Sequence, residues 1–154
     1  MTNKLQIANS KIQNQGFTLM ELLIVIGIIV FLSVILLPIS LNFYQSQILN
    51  KTTDQLVWFL KQARSNALSQ MNNFSFGLYF DQKQIVLFQG ESYQTRQIDQ
   101  DLNLPIPDSI KISGLEEIVF AKATGLPNQS AKITLSSEQG TREIQVNEIG
   151  LISY

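Results

Sequence analysis

The chain has 154 residues, a formal net charge of −1, no cysteine and no histidine. These absences exclude disulfides, thiolate metal sites and cysteine nucleophiles, together with the commonest general base and metal ligand. With 11 basic and 12 acidic residues, no charge excess marks the chain as a nucleic-acid binder, and DNA binding is unsupported.

Residues 1–16 are polar, with Lys4 and Lys11 as their only charges. A secretory signal would start in the same way, but would carry a shorter apolar region and end in a small-residue cleavage site. Here Gly16-Phe17-Thr18-Leu19-Met20-Glu21 is followed by an uncharged run of 18 residues, Leu22 to Ile39, broken only by Gly27, Ser33 and Pro38. As a helix this run covers about 27 Å, close to the hydrocarbon thickness of a bilayer, and in lipid only a helix satisfies such a segment's backbone. Lysines before the run and none until Lys51 place the N-terminus in the cytoplasm and the remainder outside the cytoplasmic membrane. Glu21 has two readings. It sits in the headgroup layer, or it is a carboxylate held at a cost in an apolar surrounding until a partner meets it.

The segment from Lys11 through Gly16 and on through Phe17-Thr18-Leu19-Met20-Glu21-Leu22-Leu23-Ile24-Val25 resembles the processing site of type IV pilins and type II secretion pseudopilins. The resemblance implies cleavage after Gly16 by a prepilin peptidase on the cytoplasmic side, then N-methylation of Phe17 by the same enzyme. It implies that Glu21 draws subunits into a filament by pairing with the Phe17 ammonium of a neighbour. The physics agrees: an α-amino group is mostly charged at neutral pH, and poorly hydrated opposite charges attract far more strongly than in water. Cleavage would leave 138 of the 154 residues and a net charge of −3 in place of −1, because Lys4 and Lys11 leave with the leader. The implied partners are the peptidase and methyltransferase, other pilin or pseudopilin subunits, an inner-membrane assembly platform, and the bilayer before assembly.

Pro38 removes one backbone hydrogen bond and bends a helix. Pilin-like helices resemble this one in carrying a proline in the same region, which implies a kink used in assembly; a tolerated membrane-helix proline is the other reading. Beyond the run, Phe43, Tyr44, Ile48, Leu49, Leu56, Leu60, Ala63, Ala67 and Leu68 recur at helical spacing. The pattern predicts a helix to about Met71, roughly 80 Å long in all at 1.5 Å per residue, stopped at Asn72-Asn73. Leu56 to Leu68, with its Ala63-Arg64-Ser65-Asn66-Ala67, is similar to the GspH/FimT-type minor pseudopilins. Small Ala63 and Ala67 would let a sheet approach, and Arg64 reads as solvated or as the partner of a carboxylate.

From Phe74 the period changes to two. Phe74–Phe80 and Ile85–Phe88 predict a hairpin around residues 81–84. Residues 93–98 are a possible strand, and Pro105 and Pro107 make 104–108 a loop. Residues 110–112, 115–120, 132–136 and 142–146 predict further strands, with turns at 125–128 and 138–141. Ile118-Val119-Phe120, Gly125, Gly140-Thr141 and Gly150-Leu151-Ile152 again resemble the GspH/FimT type.

About 83 residues of globular chain, with no disulfide or metal to hold them, bury only a modest core alone. The stripe from Ile48 to Leu68 supplies the missing apolar layer. The expected fold is therefore α+β and pilin-like, a long N-terminal helix packed through its second half on small antiparallel sheets. Its expected parts are a leader at 1–16, a helix at 17–71 with a transmembrane portion at 17–39, and a β-rich domain at 72–154.

No phosphate loop or activated nucleophile is present, so no enzyme and no cofactor are expected. Glu116 and Glu117 point to opposite faces of a strand. Asp99 and Asp101 are either a solvated pair or ligands for Ca²⁺ with other oxygens. The expected function is a structural minor pilin or pseudopilin of a type IV pilus, competence pilus or type II secretion pseudopilus, at the inner membrane or in the assembled filament. The alternatives are a major subunit and an uncleaved single-span protein with an outer binding domain.

Overall fold

The computed structural model describes residues 16–154, with the side chains of 35–42 outside that description. Of the expected leader at 1–16, residues 1–15 therefore lie outside the described residues. The chain forms two compact units, Met1–Ile39 and Ser40–Tyr154. One helix, α1 (Leu19–Leu68), contributes to both.

In the first unit, residues 16–18 precede the helix and every described side chain from 16 to 34 is exposed. Thr18 starts the helix: its Oγ1 accepts the Glu21 N–H at 3.2 Å, and its carbonyl accepts the Leu22 N–H at 3.2 Å. A threonine in this place satisfies a donor that the first helical turn would otherwise leave open. Among the described residues, no helix is long and apolar enough to cross a membrane. The predicted span, 22–39, ends in residues whose side chains lie outside the description.

The second unit carries the core. On α1, Leu49, Thr53, Leu56, Leu60, Ala63 and Ala67 are all buried, at alternating spacings of four and three. That stripe packs against two four-stranded antiparallel sheets. The strands are β1 (Phe76–Phe80), β2 (Gln84–Gln89), β3 (Leu102–Pro105), β4 (Lys111–Ser113), β5 (Glu117–Phe120), β6 (Ala131–Ser137), β7 (Gly140–Val146) and β8 (Ile152–Ser153). The first sheet runs β3-β2-β1-β5 and the second β4-β6-β7-β8. Phe76, Leu78, Ile85, Leu87, Ile118 and Phe120 meet the stripe from the first sheet, and Ile112, Ile133, Leu135 and Ile144 from the second. The fold is thus α+β with antiparallel sheets, as the change of period at Phe74 predicts.

The structure corrects three local expectations. The helix ends at Leu68, because Gln70, Asn72 and Asn73 take left-handed backbone angles, with φ of 52°, 52° and 60°. Residues 93–98 are not a strand: single 3-10 turns form at Tyr93–Thr95 and Ile98–Gln100. Leu104 and Pro105 are not loop but the end of β3, which lies at a sheet edge, the position where a strand tolerates a proline.

Candidate functional site: the start and end of the long helix

Two regions carry the features that the sequence singles out, one at each end of α1. At the start, Gly16 and Phe17 lie outside regular structure, and Phe17 is 80% exposed. Nothing comes within 4 Å of where a Cβ on Gly16 or on Gly27 would stand. Glu21 follows one turn into the helix with its backbone bound to Thr18, amid exposed Leu19, Met20, Leu22 and Leu23. The arrangement is a carboxylate at the head of an uncovered apolar helix, next to an accessible peptide bond. Pro38 falls inside the helix bounds, and its side chain lies outside the description.

At the other end, the pattern from Ala63 to Ala67 meets two turns. Ala63 and Ala67 are fully buried, and the Ala67 carbonyl accepts N–H groups from Gln70 at 3.2 Å and Ala123 at 2.9 Å. Arg64 is half-buried, and among the described residues no carboxylate pairs with it. Its Nη2 donates to the Ile149 carbonyl at 3.0 Å, 85 residues away in sequence. Gly150, with φ of +74°, lets this contact form, because a Cβ there would stand 2.8 Å from Arg64 Nε and from the Gly125 carbonyl. Gly125, at φ of +60°, likewise seats Leu68.

The segment after β2 covers the outer face of the first sheet, and sequence reasoning missed this. Val86, Phe88 and Val119 are buried on the face away from α1. Tyr93 stacks on Tyr79 at 3.8 Å and 6°, and meets Phe88 edge-on at 5.8 Å. The Arg96 guanidinium lies 3.7 Å over the other side of the Tyr93 ring. Arg96 also donates to Asp101 at 2.7 Å and to the Tyr93 carbonyl at 2.7 Å. The hydrogen bond that Arg96 donates to Asp101 raises the Arg96 pKa above its ordinary value, and burial acts against it.

Asp101 is therefore neither solvated nor a ligand beside Asp99; it anchors the cover. Glu117 does the same, accepting the Tyr93 N–H at 3.0 Å. Among the described residues, no group of His, Cys, Asp or Glu is placed to hold a metal ion. Sequence reasoning also missed the tyrosine stack, whose one local signal is an aromatic in an otherwise polar segment.

This architecture can be set beside known proteins. No family model matches the sequence, and no curated protein matches it either. Among solved structures, the chain is similar to the minor pseudopilin EpsH from the Type 2 Secretion System of Vibrio cholerae, with a TM-score of 0.52. The match covers 68% of this chain and 93% of that one at 11% sequence identity. What the two share is a fold. The fold of this chain is pseudopilin-like.

Proposed function

We propose that the chain is a minor pilin or pseudopilin, a structural and non-enzymatic subunit of a type IV pilus, competence pilus or type II secretion pseudopilus. In this reading residues 1–16 are a leader, and prepilin peptidase cuts after Gly16. Phe17 becomes the N-methylated terminus, and residues 17–39 hold the subunit in the inner membrane before assembly. Glu21 then pairs with the Phe17 ammonium of a neighbouring subunit, Pro38 allows the helix to bend, and the β-rich unit stands outside the cytoplasmic membrane or on the filament.

The observation that carries the reading is the joining of a pseudopilin-like fold to Glu21 at the head of an exposed apolar helix. Uncovered apolar side chains from Leu19 to Val34 need lipid or other helices around them. A carboxylate among them needs a counter-charge, and a new terminus at Phe17 would supply it. The other implied partners are further subunits and the assembly platform.

Intact mass of the protein from its native membrane, with fragmentation, tests the reading. The expected chain begins at Phe17 and is heavier by one methyl group. A chain still beginning at Met1 in cells with active prepilin peptidase would sink the filament reading and leave a single-span anchored protein.

A further inference from the structure

We propose that a groove beside Gln45 in the second unit binds the headgroup of a phospholipid that carries a primary ammonium and a phosphate. This site deepens the reading of a subunit held in the inner membrane before assembly, and rests on it. Two turns build the groove. In the first, the Ile110 N–H donates to the Pro107 carbonyl at 2.9 Å, so Asp108 and Ser109 stand at its centre. Ile106 and Ile110 are buried on either side and hold that turn in place. In the second, Ser137 pairs with Gly140 where β6 meets β7, which puts Glu138 at the tip. Lys111 opens β4 opposite Ser136. With Gln45 of α1 these residues line a groove of about 460 Å³, within the range of sites that hold a small ligand.

Asp108, Lys111 and Glu138 are exposed and unpaired: among the described residues the ion pairs are Arg96 with Asp101 and Lys132 with Glu143. One groove therefore holds charges of both signs that do not neutralise each other. Arg142 lies farther along the same part of α1, where it donates to Asn50 Oδ1 at 3.0 and 3.2 Å. With Arg142 counted, these two acids and two bases sum to zero. Such a surround gives no net attraction to an anion or a cation, and its separated charges suit a zwitterion. The ammonium of an ethanolamine headgroup donates to Asp108 and Glu138, and Lys111 donates to its phosphate. A choline headgroup carries the same charges but has no N–H to donate. An anionic headgroup meets Lys111 only with two carboxylates beside it.

The place of the groove in the chain makes the source a lipid. Gln45 stands six residues past Ile39, the end of the apolar run, a rise of about 9 Å along a helix. The headgroup layer extends about 5–7 Å beyond the hydrocarbon. Phe43 and Tyr44, 65% and 63% exposed, immediately precede Gln45, and aromatic side chains favour that layer.

Native mass spectrometry of the full chain in detergent tests the site, with phosphatidylethanolamine, phosphatidylcholine or phosphatidylglycerol added at equal concentration. The expected result is one phosphatidylethanolamine retained per chain, about tenfold over either other lipid, since one charge-assisted hydrogen bond is worth about that factor. Lys111→Gln with Glu138→Gln should lose this preference while the circular dichroism spectrum stays unchanged. Asp108→Asn is a second variant, should the first fail to fold. Equal retention of the three lipids, or a preference that survives in the variants, overturns the site. Retention of soluble phosphoethanolamine by a chain with no lipid preference gives the groove a soluble ligand and overturns the lipid. A preference shown by a chain that still begins at Met1 keeps the site and removes the filament reading. A chain that begins at Phe17 and shows no preference removes the site alone.

Discussion

The ring of Phe88 lies across Gly77, its partner on the neighbouring strand, in the space that any other residue's Cβ would fill. The Ile118 carbonyl stands 2.8 Å from the same point. A glycine covered by a cross-strand aromatic loses its strand penalty, because the ring packs where a side chain is missing. Gly77→Ala should therefore destabilise the protein by about 1–3 kcal/mol, the usual range for overpacking. Thermal unfolding in detergent followed by circular dichroism checks this. An unchanged midpoint would mean that Phe88 moves aside freely.

Tyr93 is held between Tyr79 and Arg96, and its ring closes the outer face of the first sheet. Aromatic pairs contribute about 0.5–1.5 kcal/mol and a cation over a ring about 0.5–1 kcal/mol beyond burial. Tyr93→Ala should cost about 2–3 kcal/mol and expose Phe88, raising binding of an apolar dye. Tyr93→Phe keeps the ring and should stay within about 0.5 kcal/mol, as for a surface change. Equal losses from the two variants would place the stabilisation on the hydroxyl.

Arg96 joins this cover by charge as well as by stacking. Its pKa is raised in the folded state by the hydrogen bond with Asp101. A base with a raised folded-state pKa stabilises fully below its unfolded value and loses that contribution only as pH rises through the folded one. For arginine both values lie far above neutral pH. The stability difference between wild type and Arg96→Lys should therefore be constant from pH 7 to 9, at about 1 kcal/mol from the lost fork geometry and stacking. Urea unfolding at several pH values measures it. A difference that shrinks across that range would implicate another group.

Gly150 sets how closely the last turn approaches the helix. With φ of +74° and Arg64 Nε 2.8 Å from a would-be Cβ, Gly150→Ala meets backbone strain and a steric clash together. A loss of about 1–3 kcal/mol is expected. Arg64→Lys should lose less, because it keeps the stem while surrendering the bond to the Ile149 carbonyl. Unfolding midpoints of the two variants, compared with wild type, give the order.

These two sites show what was legible in the chain and what was not. The helical stripe from Leu49 to Ala67 and the hairpin from Phe76 to Gln89 are written in residue type, because burial on one face selects apolar side chains at the period of the element. The Arg64 contact is not, because its acceptor is a backbone carbonyl and any residue at 149 offers one. Nor is the cover at 90–101. Within it residues 93–98 read as a possible strand, and only distant partners, Tyr79 and Glu117, turn the segment into a cap. Pro105 reads as loop because sequence does not reveal that β3 lies at a sheet edge. At the start of α1 the motif is visible without its geometry, and the capping bond from Glu21 to Thr18 gives Glu21 a local setting that the motif alone does not suggest.

That bond allows two tasks at the helix start to be separated. Thr18 Oγ1 holds the Glu21 N–H at 3.2 Å, and Thr18-x-x-Glu21 is the spacing of a capping box, in which glutamine replaces glutamate without loss. If Glu21 mattered only for starting the helix, Glu21→Gln would be silent, and Thr18→Ala would be the damaging change, at about 0.5–2 kcal/mol. The proposed pairing with a neighbour's ammonium requires the opposite order, because glutamine carries no charge. Glu21→Gln and Glu21→Ala should therefore both abolish recovery of the protein in sheared filaments, while leaving its level in the membrane unchanged. Thr18→Ala should leave filament recovery near that of wild type. Quantitative blotting of sheared and membrane fractions measures both quantities. Recovery of Glu21→Gln at wild-type levels would remove the charge pair from the mechanism and leave Glu21 as part of a helix cap.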